Sequence, residues 1–519
     1  MTLLLITNNN KGGSHSSVLP STSLAGEHDG NKALFYNKQI LDHFGDDNSS
    51  VWSHRYYKSI KHFGGPGHPI FLAVGGEGAF DHGMLYPFVT DVLTKRFGAA
   101  VVQPEHRFYG PYQPVANATV DELLQLLTPQ QAMADMIRLV THHLSKTVFE
   151  GCSPDRASPA YCPLITVGGS YPGFLSAMFR LVYPDVVDAA YASAAPFYMY
   201  DQRSDPNAYY DIVTAVAEHA SPGCPYAMKQ TLLDVVDEIM AAASLQEAAA
   251  HVGICDDLIP DHITTKEMLS DALVQITSYS FADHDMDCYP SGPDTGLSKV
   301  CKLFQDPKFN TIDTMRAFFD SLLIQQVEEE AGCDMPTVQC NPEEELQIVR
   351  DANEGRDCFD LNTQDPDGTD SAVEGTMWDF QTCTTVIFLA GLSETSMFPA
   401  HNATYADLTK ECHKSFGNGV TPRPREVADL WGFDDLVKQG ASHILFTNGG
   451  HDMCWSGGGV LEDLSDSLLA LNFANGAHHS DLSHEGPSDK DTDDIKEGFV
   501  KIADILGNWL DEIREEDGI

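Results

Sequence analysis

Basic residues are scarce in this chain. Lys and Arg together number 31, against 76 Asp and Glu, in a sequence of 519 residues. The formal charge is therefore -45 at neutral pH, and a protein this acidic repels phosphate backbones and anionic lipid surfaces. We expect no nucleic-acid partner.

Long apolar segments are missing as well. No stretch approaches the roughly 18 to 20 consecutive apolar residues that a membrane-spanning helix needs, so the sequence predicts no membrane span. The N-terminal apolar run, residues 3–6, is too short for the core of a secretion signal, and none is evident in this start. Residues 1–33 are polar and without period, which predicts a disordered leader.

Zinc-type cysteine spacing is also lacking. The 12 Cys include no CxxC pair and no Cys/His cluster at ligand spacing, so we predict disulfides, no metal and no other cofactor. Sequons at Asn48, Asn117 and Asn402 are typical of an exported glycoprotein. Together with the acidic charge and 21 His, which suit an acidic compartment, they predict a secreted, lysosomal or vacuolar protein.

Short apolar runs bounded by Gly and Pro alternate with helical patterns in the first third of the chain. The runs at 69–74, 99–102, 163–167 and 186–192 predict buried parallel strands. Between the second and third runs, Thr128 predicts a helix N-cap, with Pro129 at the first helical position and Gln131 completing a capping box. This alternation predicts a doubly wound α/β sheet.

The pattern changes after about residue 196. Residues 209–330 have almost no β-branched runs and show helical periodicity, which predicts an all-helical insertion with helices at 228–249, 266–278 and 312–329. Sheet character returns at 443–448. The predicted organisation is one interrupted sheet domain with a helical cap. Its bounds are a leader at 1–33, the sheet domain at 34–197 and 356–515, and the cap at 198–355.

One strand leads directly into a glycine-rich turn with a serine at its apex. The run 164–167 continues as Gly168-Gly169-Ser170-Tyr171-Pro172-Gly173 and then becomes helical. A nucleophile elbow needs this arrangement, because small neighbours let the turn project the hydroxyl while the next amide and the helix N-terminus stabilise an oxyanion. Taken alone, the segment is more typical of an ordinary Gly/Ser turn that feeds a helix.

The order of later residues favours catalysis. The late strand 444–447 leads to Asp452, and the pair His478-His479 follows it along the chain. An α/β-hydrolase places its nucleophile, acid and histidine in this order, with the acid after a late strand and the histidine in a loop beyond it. The sequence therefore predicts a Ser-Asp-His triad.

Several further motifs give the chain a family resemblance. It resembles the prolyl-specific serine carboxypeptidase family, whose members include lysosomal carboxypeptidases, a related dipeptidyl peptidase and a thymus-specific serine protease. The matching stretches run in family order and are 39–44, 75–78, 105–110, 127–132, 168–173, 191–196, 378–384, 448–452 and 476–482.

The resemblance implies an α/β-hydrolase fold with a helical cap inserted between the serine and the aspartate. It makes Ser170 the nucleophile, Asp452 the orienting acid and His478 the base, and the choice of His478 over His479 rests on it alone. Pro172 stands where many members have Gly, and the usual Asp-Pro-Trp appears as Asp452-Met453-Cys454-Trp455. The second departure lies beside the acid.

An oxyanion needs two amide donors. The Tyr171 N–H is one, and the glycine loop after the early strand, with Glu77 and Gly78, is placed to give the other. Glu77 and the run 105–107 are candidate substrate anchors, and an internal ion pair or a loop-stabilising carboxylate is at least an equal alternative for each.

The resemblance also implies disulfide pairs. These are Cys224 with Cys301, Cys255 with Cys358, and Cys383 with Cys412. Proximity in sequence adds two guesses, Cys152 with Cys162 and Cys333 with Cys340.

The expected function is that of a serine exopeptidase that cuts peptide substrates after proline through an acyl-enzyme. Whether it trims the C-terminus or removes N-terminal dipeptides stays open, as does the oligomeric state, including a homodimer. An esterase or lipase on the same fold, or a catalytically inactive hydrolase-fold binding protein, is the alternative.

Overall fold

The computed structural model describes residues 30, 32–46, 49–80, 83–260, 263–283, 296–330, 358–359, 361, 372–451, 456–482, 484–489 and 491–516. These residues form two units. The helical unit comprises the described parts of Pro206–Gly375 and Ala390–Thr404. The sheet unit comprises the described parts of Asn10–Asp205, Thr376–Leu389 and Tyr405–Ile519.

The sheet unit is built on one eight-stranded sheet of order β1-β2-β4-β3-β5-β6-β7-β8. Strands β3 to β8 are mutually parallel, while β2 is antiparallel to both β1 and β4. This mostly parallel sheet confirms the predicted α/β-hydrolase class. The strands are β1 Leu34–Ile40, β2 Val51–Ser59, β3 Ile70–Ala73, β4 Ala100–Pro104, β5 Leu164–Gly169, β6 Ala189–Ser193, β7 Ile444–Gly449 and β8 Leu468–Phe473.

The central strands are buried on both faces. Every residue of β3, β4, β5, β6 and β7 is buried, as expected for parallel strands that have helices on both sides. These five strands correspond to the five apolar runs in the sequence. The helix α15 (Asp493–Glu516) packs Ile495, Phe499, Ile502, Leu506 and Trp509 into the core on one face of the sheet.

Further helices surround the strands. In the sheet unit they are α1 Thr94–Phe97, α2 Val120–Leu126, α3 Pro129–Arg138, α4 Ser170–Val182, α5 Phe197–Tyr200, α12 Ala372–Thr382, α13 Tyr405–Phe416 and α14 Glu426–Trp431, where α12 begins before the unit boundary. Short π- or 3-10-helical segments are Phe88–Leu93, Leu139–His143, Leu144–Lys146, Phe433–Asp435 and Ser456–Gly458.

The N-terminus of α3 differs in one detail from its prediction. The Thr128 hydroxyl accepts a hydrogen bond from the Gln131 N–H, so the N-cap is confirmed. The capping box is wrong, because the Gln131 side chain accepts from the His43 N–H and donates to Asp42 instead. The Gln131 amide thereby holds the segment that follows β1. These partners are distant in sequence, so the local capping pattern could not reveal them.

The helical unit contains the predicted helices with adjusted ends. Its helices are α6 Ala208–Ala220, α7 Cys224–Ala241, α8 Leu245–His251, α9 Lys266–Asp283, α10 Gly296–Gln305 and α11 Thr311–Glu330. The periodic run 228–249 forms two helices rather than one, because Ser244 caps a new helix by accepting from the Glu247 N–H. The residues Met228, Leu232, Val235 and Ile239 form the fully buried stripe of α7.

Two disulfides lie within the helical unit, Cys224–Cys301 and Cys255–Cys358. Two more lie within the sheet unit, Cys152–Cys162 and Cys383–Cys412. Three of these are the pairs that the resemblance implies, and Cys152–Cys162 is one of the two proximity guesses. Cys288, Cys333, Cys340 and Cys454 lie outside the described residues.

Within the part of the chain that the structure describes, no helix has the length and apolar character needed to cross a membrane.

Candidate active site

Ser170 lies at the junction between β5 and α4, at the carboxyl edge of the parallel strands. It is the first residue of α4 and has a φ of 59°, a left-handed value that non-glycine residues rarely adopt. Strained backbone of this kind clusters at functional sites, and a nucleophile elbow has it at the serine. The sequence pattern and the local backbone conformation therefore both indicate a nucleophile elbow at Ser170.

Close packing explains the glycines around this serine. A Cβ atom added to Gly168 would lie 2.3 Å from the Pro172 carbonyl oxygen, and one added to Gly173 would lie 2.5 Å from the Ser193 carbonyl oxygen. Neither position has room for a side chain. The turn is thus held between its own helix and the end of β6.

His479, one of the two adjacent histidines, lies against the same turn. A Cβ atom on Gly169 would lie 2.6 Å from both Cδ2 and Nε2 of His479, so this imidazole covers the residue that precedes Ser170. The ring centroids of His478 and His479 are 3.7 Å apart. Desolvation, with a smaller contribution from His478, holds the pKa of His479 well below its ordinary value.

The loop that leads to the predicted acid contacts the histidine loop. After β7, the Gly450 N–H donates to the Phe473 carbonyl oxygen at 2.6 Å, and the His451 N–H donates to the Gly476 carbonyl oxygen at 2.8 Å. Asp452 itself lies outside the described residues, so its role stays a prediction. The described chain reaches His451, one residue before it.

The two predicted oxyanion elements are neighbours. The Tyr171 N–H is in the first turn of α4, and a Cβ atom on Gly76 would lie 2.3 Å from Cγ of Pro172, which places the loop of Glu77 and Gly78 beside that turn. Burial raises the pKa of the Tyr171 phenol, and the nearby Glu77 carboxylate adds to the shift. The same two causes act on the Tyr200 phenol.

Asp481 is a site-region residue to which the sequence assigned no role. Its buried carboxylate accepts hydrogen bonds from Ser193 and Tyr191, both at 2.7 Å, and from Thr447. These hydroxyls project from β6 and β7, so Asp481 fixes the histidine loop to the sheet. In the sequence, Asp481 stands three residues after His478, inside the stretch 476–482 that resembles the family, and this position could have pointed to its role.

The charged run after β4 is held internally. Glu105 accepts from Nε of Arg55 at 3.0 Å, and Nε of Arg107 donates to Asp135 at 2.6 Å. Both pairs are buried, so the ion-pair alternative describes Glu105 and Arg107 better than a substrate anchor does. His106 has a different set of contacts, with the Tyr171 hydroxyl and the Arg107 carbonyl oxygen.

Two of the three predicted glycosylation sites lie in the described chain. The side chains of Asn117 and Asn402 are exposed, as attachment of a glycan requires, and Asn48 lies outside the described residues. Among the residues that the structure covers, no group of three or more His, Cys, Asp or Glu is arranged to hold a metal ion.

Comparison with known proteins defines the class. A profile of the family described as serine carboxypeptidase S28 matches residues 39–498. Lysosomal Pro-X carboxypeptidase from Homo sapiens is 27% identical over 467 residues, which cover 87% of this chain and 83% of that protein. Thymus-specific serine protease from Mus musculus is 26% identical over 485 residues, with 92% and 87% covered. The chain is a serine-type peptidase.

The family match spans most of the sequence, and the chain belongs to the serine carboxypeptidase S28 family. Among solved structures, an acylaminoacyl peptidase from Pyrococcus horikoshii has a TM-score of 0.24 at 13% identity, with 33% of this chain and 24% of that chain covered. Mouse α/β-hydrolase domain-containing protein 10 has a TM-score of 0.21 at 16% identity, with 32% and 50% covered.

Proposed function

We propose that this protein is an exopeptidase that hydrolyses peptide bonds after proline, with Ser170, Asp452 and His478 as its catalytic triad. The observation that carries the proposal is the left-handed Ser170 at the N-terminus of α4, with His479, the neighbour of His478, packed against Gly169. The preference for proline is supported by the names of relatives, which include Pro-X carboxypeptidases.

In this mechanism His478 takes the proton of the Ser170 hydroxyl, whose oxygen attacks the carbonyl carbon of the substrate. The resulting oxyanion accepts hydrogen bonds from the Tyr171 N–H and from an amide of the loop at Glu77 and Gly78. Collapse breaks the C–N bond, and the leaving amine receives the proton from His478. Water, activated by the same histidine, then releases the acyl group, and Asp452 holds the imidazole tautomer.

The two adjacent histidines give this proposal a sharp internal test. We expect His478→Gln to lower kcat by several orders of magnitude, as loss of a triad histidine does, and His479→Gln to retain kcat within about tenfold. Steady-state kinetics on purified variants, with circular dichroism to verify folding, provide the measurement. The opposite pattern would assign the base to His479.

The proposed location is secreted, lysosomal or vacuolar. Four disulfides in the described residues support it, because disulfides persist in oxidising compartments and are rare in the cytosol. The exposed sequons at Asn117 and Asn402 agree with export.

Paired peptides test the specificity. Each pair has one proline-containing sequence with either the N-terminus or the C-terminus blocked, and alanine replaces proline in a matched control. Cleavage after proline of only one member of the pair supports an exopeptidase and identifies the end it recognises. Equal cleavage of the proline and alanine peptides, or hydrolysis of lipid esters alone, contradicts the proposal.

A further inference from the structure

A chain of buried hydrogen bonds begins beside the nucleophile. The Tyr171 hydroxyl is 3.1 Å from Nε2 of His106, and Nε2 of Gln381 donates to the same hydroxyl at 3.2 Å. The Tyr109 hydroxyl donates to Oε1 of Gln381, and Nδ1 of His106 lies 2.8 Å from the Arg107 carbonyl oxygen. The chain joins α4, α12 and the segment after β4.

Chemistry fixes the direction of every bond in this chain. A carbonyl oxygen only accepts, so Nδ1 of His106 carries a proton. Burial lowers the pKa of His106 to about 4, which keeps the ring neutral and leaves Nε2 as an acceptor. The Tyr171 hydroxyl therefore donates to His106 and accepts from Gln381. Gln381 in turn accepts from Tyr109.

The members of the chain are shielded from solvent. Tyr109, Tyr171 and Gln381 have 0% exposure and His106 has 1%. A buried hydrogen-bonding group left without its partner is strongly unfavourable, so the arrangement resists rotation of any one member. Side chains enclosed in this way do not act as acid or base on a substrate. Their effect on catalysis must pass through what they hold in place.

They hold both elements of the proposed oxyanion hole. The phenol of Tyr171 anchors the residue whose N–H is the first donor. The segment that carries His106 also supports the second element. A Cβ atom on Gly75 would lie 2.8 Å from the backbone nitrogen of His106 and 2.2 Å from the Pro104 carbonyl oxygen. The Gly75 backbone thus rests directly on the segment after β4.

We propose that Gln381 and His106 are positioning residues that clamp the Tyr171 side chain and so set the separation of the two oxyanion-hole donors. This inference rests on the proposed function. Gln381 comes from α12, far along the chain from Ser170, and the disulfide Cys383–Cys412 fixes the residues just after it.

The test uses Gln381→Met, whose side chain has a similar length but cannot donate a hydrogen bond to the Tyr171 hydroxyl, together with Tyr171→Phe and the double variant. The reporter is the rate constant for inactivation by a small dialkyl fluorophosphate, which develops negative charge in the oxyanion hole and is too small to need the peptide subsites. Steady-state kcat and KM on a proline peptide accompany it, per labelled active site. Tyr161→Phe is the matched control, because its hydroxyl bonds Asp188 elsewhere.

We expect kcat and the inactivation rate constant to fall together by roughly 10- to 100-fold in Gln381→Met, since small misplacements of a catalytic group have effects of this size. KM should change less than threefold. The double variant should lose little more than the worse single variant, because both break the same bond. Tyr161→Phe should lower the melting temperature and leave kcat unchanged.

Unchanged rate constants per active site, with only a lower melting temperature, would overturn the positioning role. A rise in KM alone would also overturn it, because that result would assign these hydrogen bonds to substrate binding. If Gln381→Met does not fold, Tyr109→Phe removes only the terminal hydroxyl and should still lower kcat by roughly 2- to 10-fold. Failure of the unaltered protein to label at Ser170 would instead overturn the proposed function, and the positioning role with it.

Discussion

At the scale of single residues, Gly169 is the point where the serine turn and the histidine loop meet. Gly169→Ala places a methyl group 2.6 Å from the His479 ring, closer than real Cβ contacts come. The His479 imidazole must move, and the ring of His478, whose centroid is 3.7 Å away, must move with it. Because His478 is the proposed base, we expect kcat to fall by roughly 100-fold with a modest effect on stability. Gly419→Ala is the control, because nothing lies within 4 Å of its added methyl group. Equal kcat in both variants would contradict the contact.

Asp481 gives a second prediction at this scale. In the native protein the Tyr191 and Ser193 hydroxyls donate to the Asp481 carboxylate. Asp481→Asn replaces one acceptor oxygen with an N–H₂ donor, so we expect at least one of these buried hydrogen bonds to be lost. We expect the free energy of unfolding to fall by about 1 to 3 kcal/mol in urea titrations. Asp489→Asn, an exposed carboxylate in the same region, should change it by less than about 0.5 kcal/mol. An unchanged stability of Asp481→Asn would show that the carboxylate is not needed.

The roles of Asp481 and Gln381 could not be predicted from the sequence. The serine turn is local, since strand, glycines, serine and helix follow one another along the chain, and its pattern is visible in order. Asp481 bonds residues that lie 34 to 290 positions away, and Gln381 bonds Tyr171 across 210 positions. No periodicity or spacing rule connects such residues.

At the scale of elements, burial separates the strands that could be predicted from those that could not. The parallel strands β3 to β7 are buried on both faces and appear in the sequence as apolar runs bounded by Gly and Pro. Strands β1 and β2 carry several polar or half-exposed residues, as an antiparallel sheet edge allows. Their sequences therefore lack the continuous apolar signal.

The disulfide Cys383–Cys412 yields a prediction about α12. It closes a separation of 29 residues, against 10 for Cys152–Cys162 in the same unit. Chain-entropy arguments give about 3 to 4 kcal/mol of stabilisation for the longer loop and about 1 kcal/mol less for the shorter one. We expect unfolding titrations of the two double Cys→Ala variants to show this order. A larger loss from the shorter loop would contradict it.

Loss of the longer disulfide should also affect catalysis. Cys383 follows the end of α12, two residues after Gln381, so its release loosens the clamp on Tyr171. We expect the Cys383→Ala/Cys412→Ala variant to have a lower kcat per active site, and the Cys152→Ala/Cys162→Ala variant to keep the original kcat. Equal kcat values in the two variants would show that the Cys383–Cys412 disulfide is not needed to hold Gln381 against Tyr171.

At the scale of the whole molecule, two effects of acid oppose each other. Protonation relieves the self-repulsion of a chain with net charge -45, which favours the folded state. Burial, however, lowers the pKa of His54, His106 and His479, so the unfolded chain binds these protons more readily. Salt at 0.15 M screens interactions between surface charges over about 8 Å, whereas it affects the buried histidines much less. The histidine effect should dominate just below neutrality.

The sign of the pH dependence follows from these shifts. When folding lowers the pKa of a histidine, its effect on the free energy of unfolding depends on pH. The free energy is highest above the unfolded pKa of 6.5 and falls as the pH drops towards the folded pKa. For His106, with a folded pKa of about 4, the loss is about 2 kcal/mol at pH 5. Asp188 and Asp201 oppose this trend because burial raises their pKa, but their Arg partners limit the shift.

Urea unfolding between pH 7.5 and pH 5 at 0.15 M NaCl measures the balance. We expect the free energy of unfolding to fall over this range, and to fall more steeply at 1 M NaCl, where relief of surface repulsion no longer contributes. A maximum of stability at pH 5 would contradict the neutral, buried state of these histidines.

The most direct test of the central claim is covalent labelling of the nucleophile. The unaltered protein and Ser170→Ala are each treated with a fluorophosphonate, digested and mapped by mass spectrometry, while hydrolysis of a proline-containing peptide is followed in parallel. The account predicts one labelled serine, Ser170, with peptidase activity lost in proportion to labelling, and a folded Ser170→Ala variant that neither labels nor turns over. Labelling at a different serine, or peptide hydrolysis by Ser170→Ala, would contradict it.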